Sequence, residues 1–286
     1  MFCTKGWMPK NKKEITIHQG SYIQKILEHF GMANSDTVMT PIDHATWLTP
    51  MTDNNVFEHP TLYQEAIGAL LYTSLGTTPD ITFVVQALSQ FSVNPSKAHW
   101  QAVKQILWYL QGTKDLGITY NDLNGHADIH VTGYSNADWA LSPVDRRSIS
   151  GYVFLIGGRA VAWSSKKQPT VALSSTEAEY MASSNATTQA IWLWNLFTEL
   201  NFIQPSPTEL LLDNQSAITL ASNPQFHARS KHIDICHHFI RSCITDGHVE
   251  LFWCPTGDMI TDVLTKPLPY PSFSILHQAL GMLAPV

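Results

Sequence analysis

In the first half of the chain, apolar residues recur at helical spacing, and beyond residue 117 they gather into short runs separated by turn residues. Residues 22–30 place Ile23, Ile26, Leu27 and Phe30 on one helical face. Residues 1–20 show no period and read as a frayed tail. Residues 35–60, rich in Thr, Pro and Asp, read as a long irregular connection. Helices are predicted over 61–76, 79–91 and 95–112. Pro79 suits a first helical turn, and Val103, Ile106, Leu107 and Leu110 form the stripe of the third helix. Nothing in this half clusters catalytic side chains.

The second half reads as strands over 117–120, 130–135, 151–156 and 160–164, with 122–128 as a linker. A long helix is predicted to end at 200. Then come a strand over 209–212, helices over 215–222 and 231–245, a strand over 248–254 and a short helix over 258–265. Hairpin strands first, with strands and helices alternating afterwards, predict an α/β domain with a mixed sheet.

The long helix carries the most specific pattern. Ser174 and Glu177 have the spacing of a capping box. At roughly 100° per residue, Ala182, Ala186, Leu193, Phe197 and Leu200 share one stripe, and Glu179 lies inside it. Glu177 points to nearly the opposite side and is expected in solvent. A carboxylate on a buried face is costly unless a cation or donors meet it. The plain alternative for Glu179 is a place at the stripe's edge, reaching water.

Composition narrows the function classes. The 286 residues suffice for two domains. A net charge of −6 excludes a global basic field. Locally, however, Arg146, Arg147, Arg159, Lys166 and Lys167 are five of the 17 basic residues. They are either a solvated face or a phosphate-contacting surface. The cysteines Cys3, Cys236, Cys243 and Cys254 show no paired framework and point to a reducing compartment. No signal-peptide core stands at the N-terminus, and no apolar run approaches the ~18 residues of a membrane span. His232, Cys236 and Cys243, with His237 and His238 between, lie on one predicted helix. Without a second ligand pair they make no zinc site, so no zinc is expected. Trp139 and Trp163 are expected in the core.

Strand ends are where α/β sites lie, and three acids stand at suitable places. Glu179 opens the long helix, Asp213 follows the strand 209–212, and Asp262 lies in the last short helix. A few carboxylates with water suit Mg²⁺, and paired ions align a water against a phosphodiester. Asp213 as a helix N-cap and Asp262 as a solvated helix residue remain open alternatives.

The segments GYSNADWA (133–140), RRSISGYVFLIGG (146–158), WSSKKQPTVALSSTEAEYMA (163–182), LLLDNQSAI (210–218), SKHIDICHHFIR (230–241) and TDVLTKPL (261–268) resemble, in order, the ribonuclease H domain of Ty1/copia-type retrotransposon Pol polyproteins. YIQKILEHFGM (22–32), YQEAIGALLY (63–72), TTPDITFVVQALSQF (77–91) and WYLQGTKDLGITY (108–120) are similar to the C-terminal part of the same polyprotein's reverse transcriptase. The Tyr-x-Asp-Asp polymerase motif is not among these residues.

The resemblance implies a ribonuclease-H-like mixed five-stranded sheet with flanking helices at 126–286. A mainly helical thumb or connection region, without a polymerase active site, would precede it at 1–125. The implied activity is hydrolysis of the RNA strand of an RNA–DNA hybrid by two Mg²⁺, with Mn²⁺ as a substitute. The implied partners are the hybrid and the upstream reverse transcriptase and integrase portions of Pol, with no membrane. The implied setting is intracellular, in a cytoplasmic virus-like particle or the nucleus.

By motif, Glu179, Asp213 and Asp262 are ligands. The fourth ligand position, an aspartate in the family, is Asn136 here, which brings no negative charge. Asp138, two residues along on the same strand face and about 6–7 Å away, is a partial substitute. A second departure is Thr78, where the family has Arg. The expected function is therefore an impaired ribonuclease H. The alternatives are a non-catalytic hybrid-binding or structural remnant and a zinc-binding interaction module.

Overall fold

The computed structural model describes residues 14–46, 48–50, 55–121, 130–140, 142, 144–202, 204–222 and 231–284. In chain order the elements are β1 (Glu14–Ile17), α1 (Gly20–His29), α2 (Pro60–Gly76), α3 (Thr82–Ser89), α4 (Lys97–Thr113), β2 (Gly117–Asn121), β3 (Val131–Asp138), β4 (Ile149–Ile156) and β5 (Arg159–Lys167). After these come α5 (Ser175–Glu199), β6 (Thr208–Leu212), α6 (Gln215–Ser222), α7 (Lys231–Thr245), β7 (Val249–Trp253), α8 (Tyr270–Ala279) and β8 (Met282–Leu283). The linker read at 122–128 lies outside the described residues.

The chain divides into two compact units: Met1–Asn121 with Pro267–Val286, and Asp122–Lys266. The sequence reading ran the second domain to 286; the last stretch instead returns to the first unit. Two contacts account for this. β8 joins β2, with Ile118 opposite Met282. On α8, His277 Nδ1 stands 2.8 Å from Asp80 Oδ2, and the Tyr109 hydroxyl donates to the same oxygen. Asp80 is 2% exposed, and a buried carboxylate requires such partners. Within the stretch read as a frayed tail, residues 1–13 lie outside the described residues, but residues 14–17 are a strand: β1 pairs antiparallel with β2, Ile17 opposite Ile118.

The helical part of the first unit follows its apolar stripes. Leu27, Leu70, Leu88, Ile106 and Leu110 are fully buried. Ser96 caps α4 by accepting the His99 N–H, and the His99 ring accepts from the Ser96 N–H, so the cap is reciprocal.

The second unit is built on a five-stranded mixed sheet in the order β5-β4-β3-β6-β7. The pairs β3–β4 and β4–β5 are antiparallel hairpin neighbours, while β6 and β7 add in parallel. This is the ribonuclease-H-like architecture, with central β3 paired on both sides. α5 crosses the sheet, and its Ala186, Ala190, Leu193 and Phe197 form one core with Phe154 and Leu210. Leu200, assigned to that stripe, is 54% exposed because α5 has ended. Gly133 makes room for Phe154: a Cβ there would stand 2.6 Å from its ring.

Gly151 on β4 serves the site directly. A Cβ would meet Thr265 Cγ2 at 2.7 Å and Leu264 Cβ at 3.1 Å. The bare backbone lets the 3₁₀ turn Ile260–Leu264 lie against the strand. We predict that Gly151→Ala lowers stability by roughly 1–3 kcal/mol through overpacking. Gly68→Ala, on an exposed turn of α2 with nothing within 4 Å, should raise it by about 0.5–1 kcal/mol. Urea unfolding midpoints of the two variants against the unaltered chain check both signs.

Candidate active site

The site lies where β3 outruns one of its neighbours. Its parallel ladder with β6 ends at Tyr134 opposite Leu211. Its ladder with β4 continues to Asp138 opposite Ile149. Past Tyr134, one edge of β3 lacks a strand, and buried amides must find other acceptors. Glu179 is one: its Oε2 accepts the Ala137 N–H at 3.0 Å. It reaches the strand because Ala178 and Ala182 of α5 pack with Ala137 and Ala172, and small side chains permit close approach. Glu179 is 5% exposed, so the solvent-edge alternative fails.

Asn136, one residue earlier, is 4% exposed. Its Nδ2–H donates to Asp262 Oδ1 and, more weakly, to Thr265 Oγ1 at 3.5 Å. Asp262 is also buried, not solvated. Its other oxygen, Oδ2, lies 2.9 Å from the Lys266 ammonium, one helical turn along the chain. Asp213 follows β6 at the same end of the sheet. The N-cap alternative for it fails, because Asn214 Oδ1 takes the Ala217 N–H that opens α6. Asp213 Oδ2 instead accepts from Thr256 Oγ1 at 3.3 Å.

These acids act on one another. Burial, and then the Asp213 charge, push the Glu179 carboxyl up to about 9; the Ala137 N–H pulls the other way. Asp262 is raised by burial, against the opposing pull of Lys266. Asp138 is pushed up to about 6 by burial, with Lys266 again opposing and Asp262 adding to the rise. Burial and the charges of Asp258, Asp213 and Asp262 also push the Cys254 thiol up. Lys266 and Cys254 are the participants that sequence reasoning missed. For Lys266 a signal existed, the i, i+4 spacing to Asp262; for Cys254 there was none.

Carboxylate and amide oxygens are the donors that Mg²⁺ takes. The high proton affinity of Glu179 marks negative charge that a cation would relieve. The residues therefore fit a divalent ion in type and charge. Among the described residues, however, no three His, Cys, Asp or Glu side chains already converge closely enough to hold one. Both oxygens of Asp262 are engaged within the protein.

Other expectations fare unevenly. Glu177 is 8% exposed rather than solvated, because its carboxylate folds back to accept the Leu173 N–H at 2.9 Å. Ser174 supplies the other half of that cap. Trp139 is 48% exposed, not core, with Nε1–H donating to the Ala172 carbonyl. The five basic residues do not form one patch. Arg146, Arg147, Lys166 and Lys167 lie at the site end of the β4–β5 hairpin, but Arg159 starts β5 at the far end, opposite Ile156. Asp145 takes Lys167 at 2.9 Å and Arg147 at 3.6 Å. Of the zinc candidates, the side chains of His232, Cys236 and His237 lie outside the described residues, and Cys243 is a buried free thiol.

No protein-family model matches the chain. It is 37% identical over 278 residues to the retrovirus-related Pol polyprotein from transposon TNT 1-94 of Nicotiana tabacum, covering 96% of this chain and 21% of that protein. It is 50% identical over 131 residues to the secreted RxLR effector protein 161 of Plasmopara viticola, covering 46% of this chain and 90% of that protein. Among solved structures it is similar to the N-terminal RNase H domain of a Mycobacterium tuberculosis protein, solved as a fusion with maltose binding protein. That match has 11% identity and a TM-score of 0.37, and covers 53% of this chain and 99% of that one. The chain thus spans about a fifth of the length of the Pol polyproteins it matches.

Because the folded state holds Glu179 protonated up to about 9, its contribution is fully present below the unfolded value of about 4.3 and is lost as pH rises towards 9. Gln keeps an oxygen for the Ala137 N–H and never ionises. We predict that, in metal-free buffer, Glu179→Gln matches the unaltered chain in thermal stability near pH 5. By pH 8 it should exceed it by about 1–3 kcal/mol. Melting curves across that range check the divergence.

Proposed function

Because the chain belongs to the Ty1/copia-type retrotransposon Pol polyproteins, we propose that it is the part of Pol that engages RNA–DNA hybrids through a ribonuclease-H-like unit whose cleavage centre is impaired. The observation that carries this reading is the hydrogen bond from the Asn136 amide to Asp262. With an aspartate at position 136, two carboxylates would face each other there, and a cation would be needed between them. With Asn136, a donor meets an acceptor and the charge demand at that pair is lowered.

Glu179, Asp213 and Asp262 are the residues that would hold Mg²⁺ or Mn²⁺, with the Asn136 side chain at the remaining position. Asp138 shares the strand face of Asn136 and stands as a partial substitute. The chemistry such ions supply when bound is activation of a water against the phosphodiester of the RNA strand. The Ala137 amide holds the Glu179 carboxylate at the strand end, and the small residues around it keep that end of the site dry. Asn136 removes one negative charge from a centre that needs several, so metal occupancy falls and cleavage falls with it.

Arg146, Arg147 and Lys166, at the same end of the sheet, supply phosphate contacts; Asp145 engages Lys167 closely and Arg147 more loosely. Residues 1–125, whose first 121 belong to the first unit, correspond to the reverse transcriptase thumb or connection region. The compartment that follows is intracellular, the cytoplasmic particle or the nucleus. Among the described residues no helix is long and apolar enough to cross a membrane. A second reading, a hybrid-binding remnant with no cleavage at all, is favoured by the same Asn136–Asp262 bond. Rate measurements separate the two.

We predict that Asn136→Asp raises hybrid cleavage in Mg²⁺ by orders of magnitude, each tenfold step being about 1.4 kcal/mol of transition-state stabilisation. Hybrid affinity should change little. Glu179→Gln in each background is the blank. If the unaltered chain already cleaves as fast as the Asp variant, the role given to position 136 is wrong. Replacing Arg146, Arg147 and Lys166 together with Ala should weaken hybrid binding and flatten its salt dependence by about 0.7–0.9 per lost contact. An unchanged slope would reduce them to a solvated face.

A further inference from the structure

Lys266 is a cation paired with the acidic site. Its ammonium sits 2.9 Å from Asp262 Oδ2, and its side chain is 33% exposed against 9% for Asp262. Its charge also opposes those of Glu179 and Asp138. Asp262 Oδ1 is held by Asn136, so each oxygen of the carboxylate already has a partner within the protein. The turn Ile260–Leu264 fixes the geometry: Gly151 admits it against β4, and the Lys266 N–H donates to the Asp262 carbonyl at 3.1 Å. The ammonium therefore approaches its carboxylate on a short, preset path.

From this placement we propose that Lys266 is a tethered counter-cation that occupies Asp262 in the absence of metal and must be displaced before a divalent ion binds. The proposal rests on the reading of Glu179, Asp213 and Asp262 as metal-holding residues. Lys266 is a positioning and competing residue, not one that touches substrate. It neutralises a carboxylate in a low-dielectric setting, where a lone buried charge is expensive. Its flexible stem and partial exposure let it swing into water when a dication takes its place. The site thus trades one positive charge for two, and metal affinity is set by the difference between them.

The test uses the full chain in four forms: Asn136→Asp alone, and Asn136→Asp combined with Lys266→Met, Lys266→Gln or Lys266→Arg. Mn²⁺ binding is read by the electron paramagnetic resonance signal of free Mn²⁺, which needs no cleavage. Thermal unfolding is read in EDTA and in Mn²⁺. We expect Lys266→Met and Lys266→Gln to bind Mn²⁺ about tenfold more tightly than Asn136→Asp alone, which is ~1.4 kcal/mol. Both should melt lower in EDTA and recover more on adding Mn²⁺. Lys266→Arg should keep the affinity of its parent. Equal or weaker Mn²⁺ binding by both neutral variants overturns the proposal for Lys266, while cleavage by Asn136→Asp alone would leave the site itself standing. If none of the four forms binds Mn²⁺, and none cleaves hybrid, both the metal reading and the Lys266 proposal fall.

Discussion

The hydrogen bond from the Ala137 amide to the Glu179 carboxyl is the contact on which the arrangement of the second unit turns. A strand flanked on both edges has no spare amide to offer. Here β6 stops pairing at Tyr134 while β4 follows β3 to Asp138, which opens a gap beside the strand. A helix side chain fills it, and that is possible only because α5 meets the strand through alanines. The same early stop puts Asp213 at the mouth of the gap, since Asp213 is the residue after β6. The gap lies at the carboxyl ends of the parallel strands β3 and β6, and open α/β sheets place their sites outside the carboxyl ends of their strands.

Acids brought together at such a place repel one another and resist ionising. The shift of Glu179 to about 9 expresses a cost that a purely structural sheet would have removed by a neutral side chain. Retaining it destabilises the fold at neutral pH, a trade that functional sites commonly make. The relief now present is internal, through the Asn136 amide and the Lys266 ammonium on Asp262. At position 136 the neutral amide meets the Asp262 carboxylate as a donor, where an aspartate would have set a second carboxylate against it.

Electrostatics away from the site follow similar logic. Against a net charge of −6, Arg146, Arg147 and Lys166 form a local basic group at one end of the β4–β5 hairpin. Asp145 holds two of the neighbouring cations and reduces what the cluster presents. In the first unit the buried Asp80 plays the corresponding organising role, joining Tyr109 of α4 and His277 of α8 through one oxygen.

Much of the fold was legible because helices and strands bury faces at fixed periods, and the period is written in neighbouring residues. The helices α2, α4 and α5 and the hairpin β4–β5 follow from that alone, as does the burial of Glu179 on the stripe of Ala182, Ala186 and Leu193. Position at strand ends singled out Asp213 and Asp262, and motif resemblance added the departure at Asn136. What escaped were pairings between distant residues. β8 has two residues, too few to show a period, and finds β2 only through tertiary packing. The exposure of Trp139 and the burial of Glu177 depend on what folds over them, not on their helical or strand angle. The bond between Asn136 and Asp262, 126 residues apart, exists because Gly151 admits a turn against the sheet. The sequence determined by itself which segments fold and which acids are candidates. Their partners were decided only in the tertiary structure, because a hydrogen bond between remote residues leaves no trace in the local pattern of either.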